Sequence, residues 1–234
     1  MSNLKLKKGL SLILAIIMLF SVVPTAVFAV EEGLPVMKAY SYISASALPE
    51  YHQYRATIVT ATFLDKIDTT GAVASWDISA SAATGEVKAW VKLNEEETLL
   101  AGEDRHDLYI GGNGGVAANE NSTQVFSLFP KLKKVIGLEN YHTDNVKNLS
   151  WFFEGCSSLE SVDLSSFNTS NVTNLSYFMI DCKSLKSVDF SNWDTSKVTT
   201  MQSMFKNCKE ITEIDISSFD TSKVTNMNSM FYNC

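Results

Sequence analysis

Three aspartates and four cysteines recur at one fixed interval. Asp163, Asp189 and Asp215 stand 26 residues apart, and so do Cys156, Cys182, Cys208 and Cys234. Carboxylates in a column could hold a cation or a basic partner. Thiols could bind zinc or pair as disulfides, and four cysteines allow three pairings. The regular spacing argues against both thiol chemistries. Each cysteine has the same place in its unit, so each has the same job. Equivalent positions on packed helical segments sit on the order of 10 Å apart, whereas a disulfide needs Cα atoms closer than about 7 Å. No CxxC pair and no nearby histidine suggests zinc. The expectation is buried free thiols that act as small apolar groups.

Other candidates carry less. His52, His106 and His142 lie in no metal spacing and near no nucleophile motif. Asp104, His106 and Asp107 are neighbours in sequence, but a triad is defined by geometry, and an exposed polar turn is expected there. Gly112 to Ala117 fits G-x-G-x-x-A. The adjoining AANENST stretch has no helical pattern and no βαβ context, so a glycine-rich turn is expected. No catalytic residue, metal site or cofactor is indicated by these motifs, and the chain is read as a non-enzyme.

The elements that position the two columns are set by the repeat. A period in the twenties is the mark of a stacked array. In residues 157–182 the apolar positions are Leu159, Val162, Leu164 and Phe167, then Val172, Leu175, Phe178, Met179 and Cys182. The first group alternates about Asp163 as a short strand does. The second steps by three, three, one and three, which predicts one face of a helix. Between them Asn168, Asp194 and Asp220 open corners in which the side chain bonds backbone two residues on. Thr173, Thr199 and Thr225 are expected to cap the helices. The fold class is therefore an α/β solenoid, a short strand plus a short helix per turn, preceded by a β-rich N-terminal cap.

Asp163, Asp189 and Asp215 would then stand outward on stacked strands, about 4.8 Å apart. Like charges directly opposite are unfavourable, so a cation, a nearby lysine such as Lys186, or a basic partner could offset them. These three residues are the candidate ligand-binding face. A solvated acidic edge is the plainer alternative.

The division expected along the chain is 1–29, a secretory signal peptide; 30–55, a loosely ordered segment; 56–130, the β-rich cap; and 131–234, four 26-residue repeats. Lys5, Lys7 and Lys8, the apolar run Leu10 to Phe20, and Ala26 to Ala29 make the signal. Its removal takes the net charge from −7 to −10. Such an acidic chain disfavours nucleic acid and anionic membrane as partners. No later segment has the roughly 20 apolar residues of a membrane span. In the cap, strands are expected at 56–64, 75–79, 86–93 and 107–112, with Glu95-Glu96-Glu97 as a solvated loop. Terminal repeats normally need a polar cap, so the natural product is expected to continue past Cys234. Were Cys234 the true end, end-to-end self-association is expected.

The unit LxxVxLxxFxTSxVTNMxxMFxxC resembles the 26-residue surface repeat of BspA-like leucine-rich-repeat proteins. The first unit departs from it, with Lys133 for the leading Leu, Gly137 for Asp and Lys147 for Thr. Proteins with this repeat often carry a similar WDIS, VKAWV and LYIGGNGGV segment before it. The resemblance implies an exported, surface-displayed bacterial protein that adheres to a protein or matrix ligand on another cell and performs no catalysis. A passive stalk presenting a downstream domain, or a non-catalytic fragment of a surface enzyme, are the alternatives.

Overall fold

The computed structural model describes residues 34–35, 37, 53–80 and 85–234. All lie in the larger of the chain's two units, 34–234. The expected signal peptide at 1–29, His52 and most of the 30–55 segment lie outside the described residues.

Five strands form a mixed sheet: β1 (Ile58–Leu64), β2 (Ala74–Asp77), β3 (Val87–Leu93), β4 (His106–Gly112) and β6 (Lys134–Ile136). Their order across the sheet is β2-β3-β4-β1-β6. β1 is interior and runs parallel to both β4 and β6, while β2–β3 and β3–β4 are antiparallel. Ala61 and Phe63, which share one face of β1, are buried together with Ile58 and Val59, while Thr60, Thr62 and Leu64 on the other face are half-buried. Trp90 of β3 is also buried and stacks on Tyr109 of β4. A two-stranded parallel pair joins β5 (Val116–Ala117) to β7 (Tyr141–His142).

Residues 95–97 are not a loop. They open α1 (Glu95–Ala101), whose N-cap Asn94 accepts from the Glu97 N–H at 2.9 Å and whose C-cap Gly102 is left-handed. Three acids in the first turn suit the positive end of the helix dipole. The triplet expected as a solvated run is the start of a capped helix.

The α/β solenoid is overturned. Among the described residues α1 is the one α-helix, it lies outside the repeats, and the rest is strand, turn and a single 3-10 turn at Leu138–Asn140. The segment expected to be helical is a succession of turns. Non-glycine residues adopt positive φ at Trp151, Tyr177, Ser203 and Ser229, and again four residues on at Asp181, Asn207 and Asn233, where Gly155 takes the equivalent place. A helix cannot pass through such residues. The backbone donors of this segment are instead shared between two directions. The N–H groups of Leu149, Trp151, Phe153 and Gly155 donate to the carbonyls of Asn174, Ser176, Phe178 and Ile180 in the next unit, at 2.8–3.1 Å. Those of Phe152, Glu154 and Cys156 close turns on the residue three back. Every N–H from 149 to 156 except that of Ser150 is accounted for in this way, and Ser150 N–H donates to Asn148 Oδ1 at 3.0 Å. Turns closed on i−3 bring side chains inward at the same spacing of three that suggested a helix.

The strand half of the unit survives as short parallel pieces. β8 (Ser161–Asp163) pairs with β9 (Ser187–Asp189), with Val162 opposite Val188. Isolated parallel bridges link Asn121, Asn148, Asn174, Thr200 and Asn226 in one column. The inward positions form a continuous core, including Leu159, Leu164, Val172, Leu175, Phe178, Met179 and their equivalents one unit later. The departure at Gly137 also has a cause. Its φ is +74°, and a Cβ there would collide with the Phe63 carbonyl oxygen of β1.

Candidate functional site

Asp163 and Asp189 are direct register partners on β8 and β9, so the first two members of the acidic column are brought together. Asp215 lies outside any strand but shares a surface depression with Asp189. All three are exposed. Each carboxylate closes its own corner: Oδ1 accepts from the N–H of Ser165, Ser191 and Ser217, at 2.9 Å in each case. The Ser165 hydroxyl and backbone N–H hold the Asp163 carboxyl below its ordinary range, and those of Ser217 do the same for Asp215. Lys186 does not answer the column, because its ammonium is bonded to Glu160 at 2.7 Å. No group of acids, histidines or cysteines able to hold a metal ion occurs among the described residues.

Three shallow depressions run along this face and share their walls. The first is lined by Ile136, Glu139 and Asp163 among others, the second by Val162, Asp163, Val188 and Asp189, and the third by Val188, Asp189 and Asp215. Together they make one trough crossing successive units. Its charged lining residues, Glu139, Asp163, Asp189 and Asp215, are all acidic.

The corners behave as their residue types require. Oδ1 of Asn168, Asp194 and Asp220 accepts from the N–H of Ser170, Ser196 and Ser222 at 3.2, 2.9 and 2.8 Å. What sequence reasoning missed is the threonine beside each corner. Thr169 is buried, donates to the Asp194 carbonyl at 3.1 Å and accepts from the Asp194 N–H at 2.8 Å. Thr143 makes the same pair of bonds to Asn168. Thr173, Thr199 and Thr225 cap no helix: their hydroxyls donate to Lys147, Thr173 and Thr199 carbonyls one unit back.

The cysteines are all free. Each thiol donates to a carbonyl of the preceding unit: Phe126, Phe153, Met179 and Phe205, at 3.0–3.1 Å. Burial raises the Cys156 and Cys182 thiol pKa values far above the usual range and pushes that of Cys208 up to about 12. Cys234 departs from the expectation of burial, since it is exposed.

His106 is not on an exposed turn. It is buried on β4, with Nδ1 3.0 Å from Thr57 Oγ1, and burial lowers its pKa. The Thr57 hydroxyl donates to the Tyr54 carbonyl at 2.8 Å, and Asp107 accepts from Asn94 Nδ2 at 3.0 and 3.1 Å. These groups hold β1, β4 and α1 in place and form no relay. Gly114 and Gly115, both at positive φ, form the expected glycine-rich turn.

The turn half of the unit carries a second column, Gln124, Trp151, Tyr177, Ser203 and Ser229, all at positive φ; Ser203 is buried and Ser229 exposed. Trp151 and Tyr177 are half-buried and stack face to face, with centroids 3.9 Å apart and planes at 13°. Aligning the units on their cysteines would have revealed this pair, because the column changes from polar to aromatic and back.

A family model described as "Mycoplasma protein of unknown function, DUF285" matches residues 121–234. This stretch, just under half of the chain, is similar to that family and contains the stacked units. No curated protein and no solved structure matches the chain. Among the described residues no helix is long and apolar enough to cross a membrane.

Proposed function

We propose that the protein is an exported, surface-displayed repeat protein that acts by binding a protein or matrix ligand on another cell. The observation that carries this reading is the trough across β8, β9 and the Asp215 corner. Its charged lining is wholly acidic, and the backbone around it is tied down by ladder and corner bonds. A fixed acidic trough suits an extended segment bearing lysine or arginine, through complementary charge. The BspA-like resemblance and the signal-like N-terminus point the same way. The absence of a recognisable catalytic constellation in the sequence favours binding over chemistry.

The test uses the full chain and its D163N/D189N/D215N variant. Asparagine retains the Oδ1 acceptor, as Asn168 shows at its own corner, so the variant keeps its corners. Beads coated with the chain should be retained on cell layers, and the chain should bind immobilised poly-L-lysine. Three exposed charge contacts are worth about tenfold in affinity together, so the variant should lose about that much in both assays. Equal binding by both proteins would remove the trough from the reading. Beads that are never retained would refute adhesion.

A further inference from the structure

A depression of about 350 Å³ lies where α1 meets the start of β1 and the turn before β6. It shares no lining residue with the trough and is opposite to it in charge. Among the described residues, Arg105, Lys131 and Lys133 line it and Glu97 is its one acid. Three cations against one acid leave it positive, on a chain whose net charge is −7. The rest of its wall includes Val59, Leu100 and Ala101. Val59 falls at the register shift between Ile58 and Thr60, and it belongs to this wall rather than to the main core. Irregularities of this kind re-aim side chains and are over-represented beside functional sites.

The fold does not use up these cations. Lys131 is exposed, and its ammonium has no partner among the described residues. Arg105 is buried; its Nη2 pairs with Glu103 and its Nη1 donates to the Asp104 carbonyl at 3.2 Å, while its Nε–H has no partner among the described residues. A partly filled guanidinium fork suits a carboxylate. The positive field reaches the rim: the Arg105 hydrogen bond, with the charges of Arg105 and Lys131, holds the Glu103 carboxyl below its ordinary range. The apolar wall is as unusual. α1 buries no residue, yet Leu99 and Leu100 on it are 85% and 76% exposed, and Leu100 lines the depression. Inorganic phosphate would leave that leucine bare. A nucleic acid would bring many phosphates to an acidic chain. An uncharged apolar molecule would leave Lys131 and the Arg105 Nε–H unanswered. A carboxylate on an apolar body answers both, and the volume lies at the small end of the roughly 300–1,000 Å³ of small-molecule sites.

We propose that this depression binds a small apolar carboxylate, with the carboxylate group held by Lys131 and Arg105 and the apolar body against Leu100 and Val59. The class covers a short fatty acid and the free terminus of a peptide that ends in an apolar residue. This goes beyond the adhesive reading, since it names a second ligand class at a separate place.

The experiment is isothermal titration of the full chain with octanoate, for the fatty acid, and with N-acetyl-L-leucine, for the peptide terminus. N-acetyl-L-leucinamide and inorganic phosphate are the counterparts that lack the charge or the apolar body. Saturable binding of at least one carboxylate is expected, tighter than that of the amide or of phosphate, and the tighter of the two names the source. K131E and L100S change exposed side chains, so both should fold, as their circular dichroism will show. K131E should weaken binding by about tenfold, and L100S by about threefold. K131R keeps the charge and should bind as the parent does. D163N/D189N/D215N should also bind the carboxylate as the parent does, which separates this site from the trough. Saturation by neither carboxylate would overturn the proposal. So would amide or phosphate binding as tight as that of the carboxylates, or carboxylate binding that K131E and L100S both leave unchanged.

Discussion

Replacing Thr169 with valine should test what holds one unit to the next. The side chain is 2% exposed. Its hydroxyl donates to the Asp194 carbonyl at 3.1 Å and accepts from the Asp194 N–H at 2.8 Å. Valine has nearly the same shape, so packing is preserved and the two bonds are lost. A typical internal hydrogen bond contributes about 1 kcal/mol net, and a buried group left without a partner costs about 1–3 kcal/mol. Asp194 is itself exposed, so water can recover part of the loss. The expected destabilisation is therefore about 2–4 kcal/mol. With a urea slope of about 2 kcal/mol per molar, the midpoint should fall by roughly 1–2 M. Thr169→Ser keeps the hydroxyl and should stay within about 1 kcal/mol of the parent. Midpoints for T169V and T169S that coincide would refute the role given to the hydroxyl.

Alkylation with iodoacetamide at pH 8 should modify Cys234 first, while Cys156, Cys182 and Cys208 react only as the protein unfolds, because the thiolate is the reacting form and burial suppresses it. Mass mapping of the labelled peptides checks this, and rapid labelling of Cys182 in the folded chain would contradict it. Acid should destabilise the fold through the corners. The carboxyls of Asp163, Asp194, Asp215 and Asp220 are held below the ordinary value of 3.8 in the folded chain, by serine hydroxyl and backbone N–H donors. A depressed folded pKa gives stability that is complete above the unfolded value and is lost as pH falls through the folded one. Melting temperature should therefore be level near neutrality and drop below about pH 4, and a rise on acidification would refute the corner account.

The residues themselves explain which parts of this are legible in sequence. Strand expectations at 56–64, 75–79, 86–93 and 107–112 fall on β1 to β4, whose alternation and β-branched content have one simple reading. The corners are readable because Asn168, Asp194 and Asp220 act locally, on backbone two residues away. The repeat's turns mimic a helix because Val172, Leu175, Phe178, Met179 and Cys182 have a spacing common to α-helices and to turns closed on the third residue back. The signal against a helix is the residue at positive φ, and Tyr177 and Asp181 give no sign of it in sequence. α1 is hidden for the opposite reason. Asn94, Glu97 and Gly102 carry its start and stop signals, but the helix is short and buries no residue.

The sharing of backbone donors also explains where sequence variation can sit. In an α-helix every interior N–H is satisfied within the segment, and stacking relies on side chains alone. Here the N–H groups of Trp151, Tyr177 and Ser203 donate to Ser176, Gln202 and Asn228 carbonyls at 2.8–3.1 Å whatever side chain the residue carries. The column is held by its backbone. These backbone bonds do not depend on the side chain, so Gln124, Trp151, Tyr177, Ser203 and Ser229 differ within a single chain, with the small Ser203 at the buried place. The inward positions have no such freedom, and Val172 and Val198, Leu175 and Met201, and Cys182 and Cys208 stay apolar and buried. A stack built in this way separates the backbone bonds that hold it from the side chains of its turn column. Its core is fixed by the repeat, while its turn column can be recoded one residue at a time.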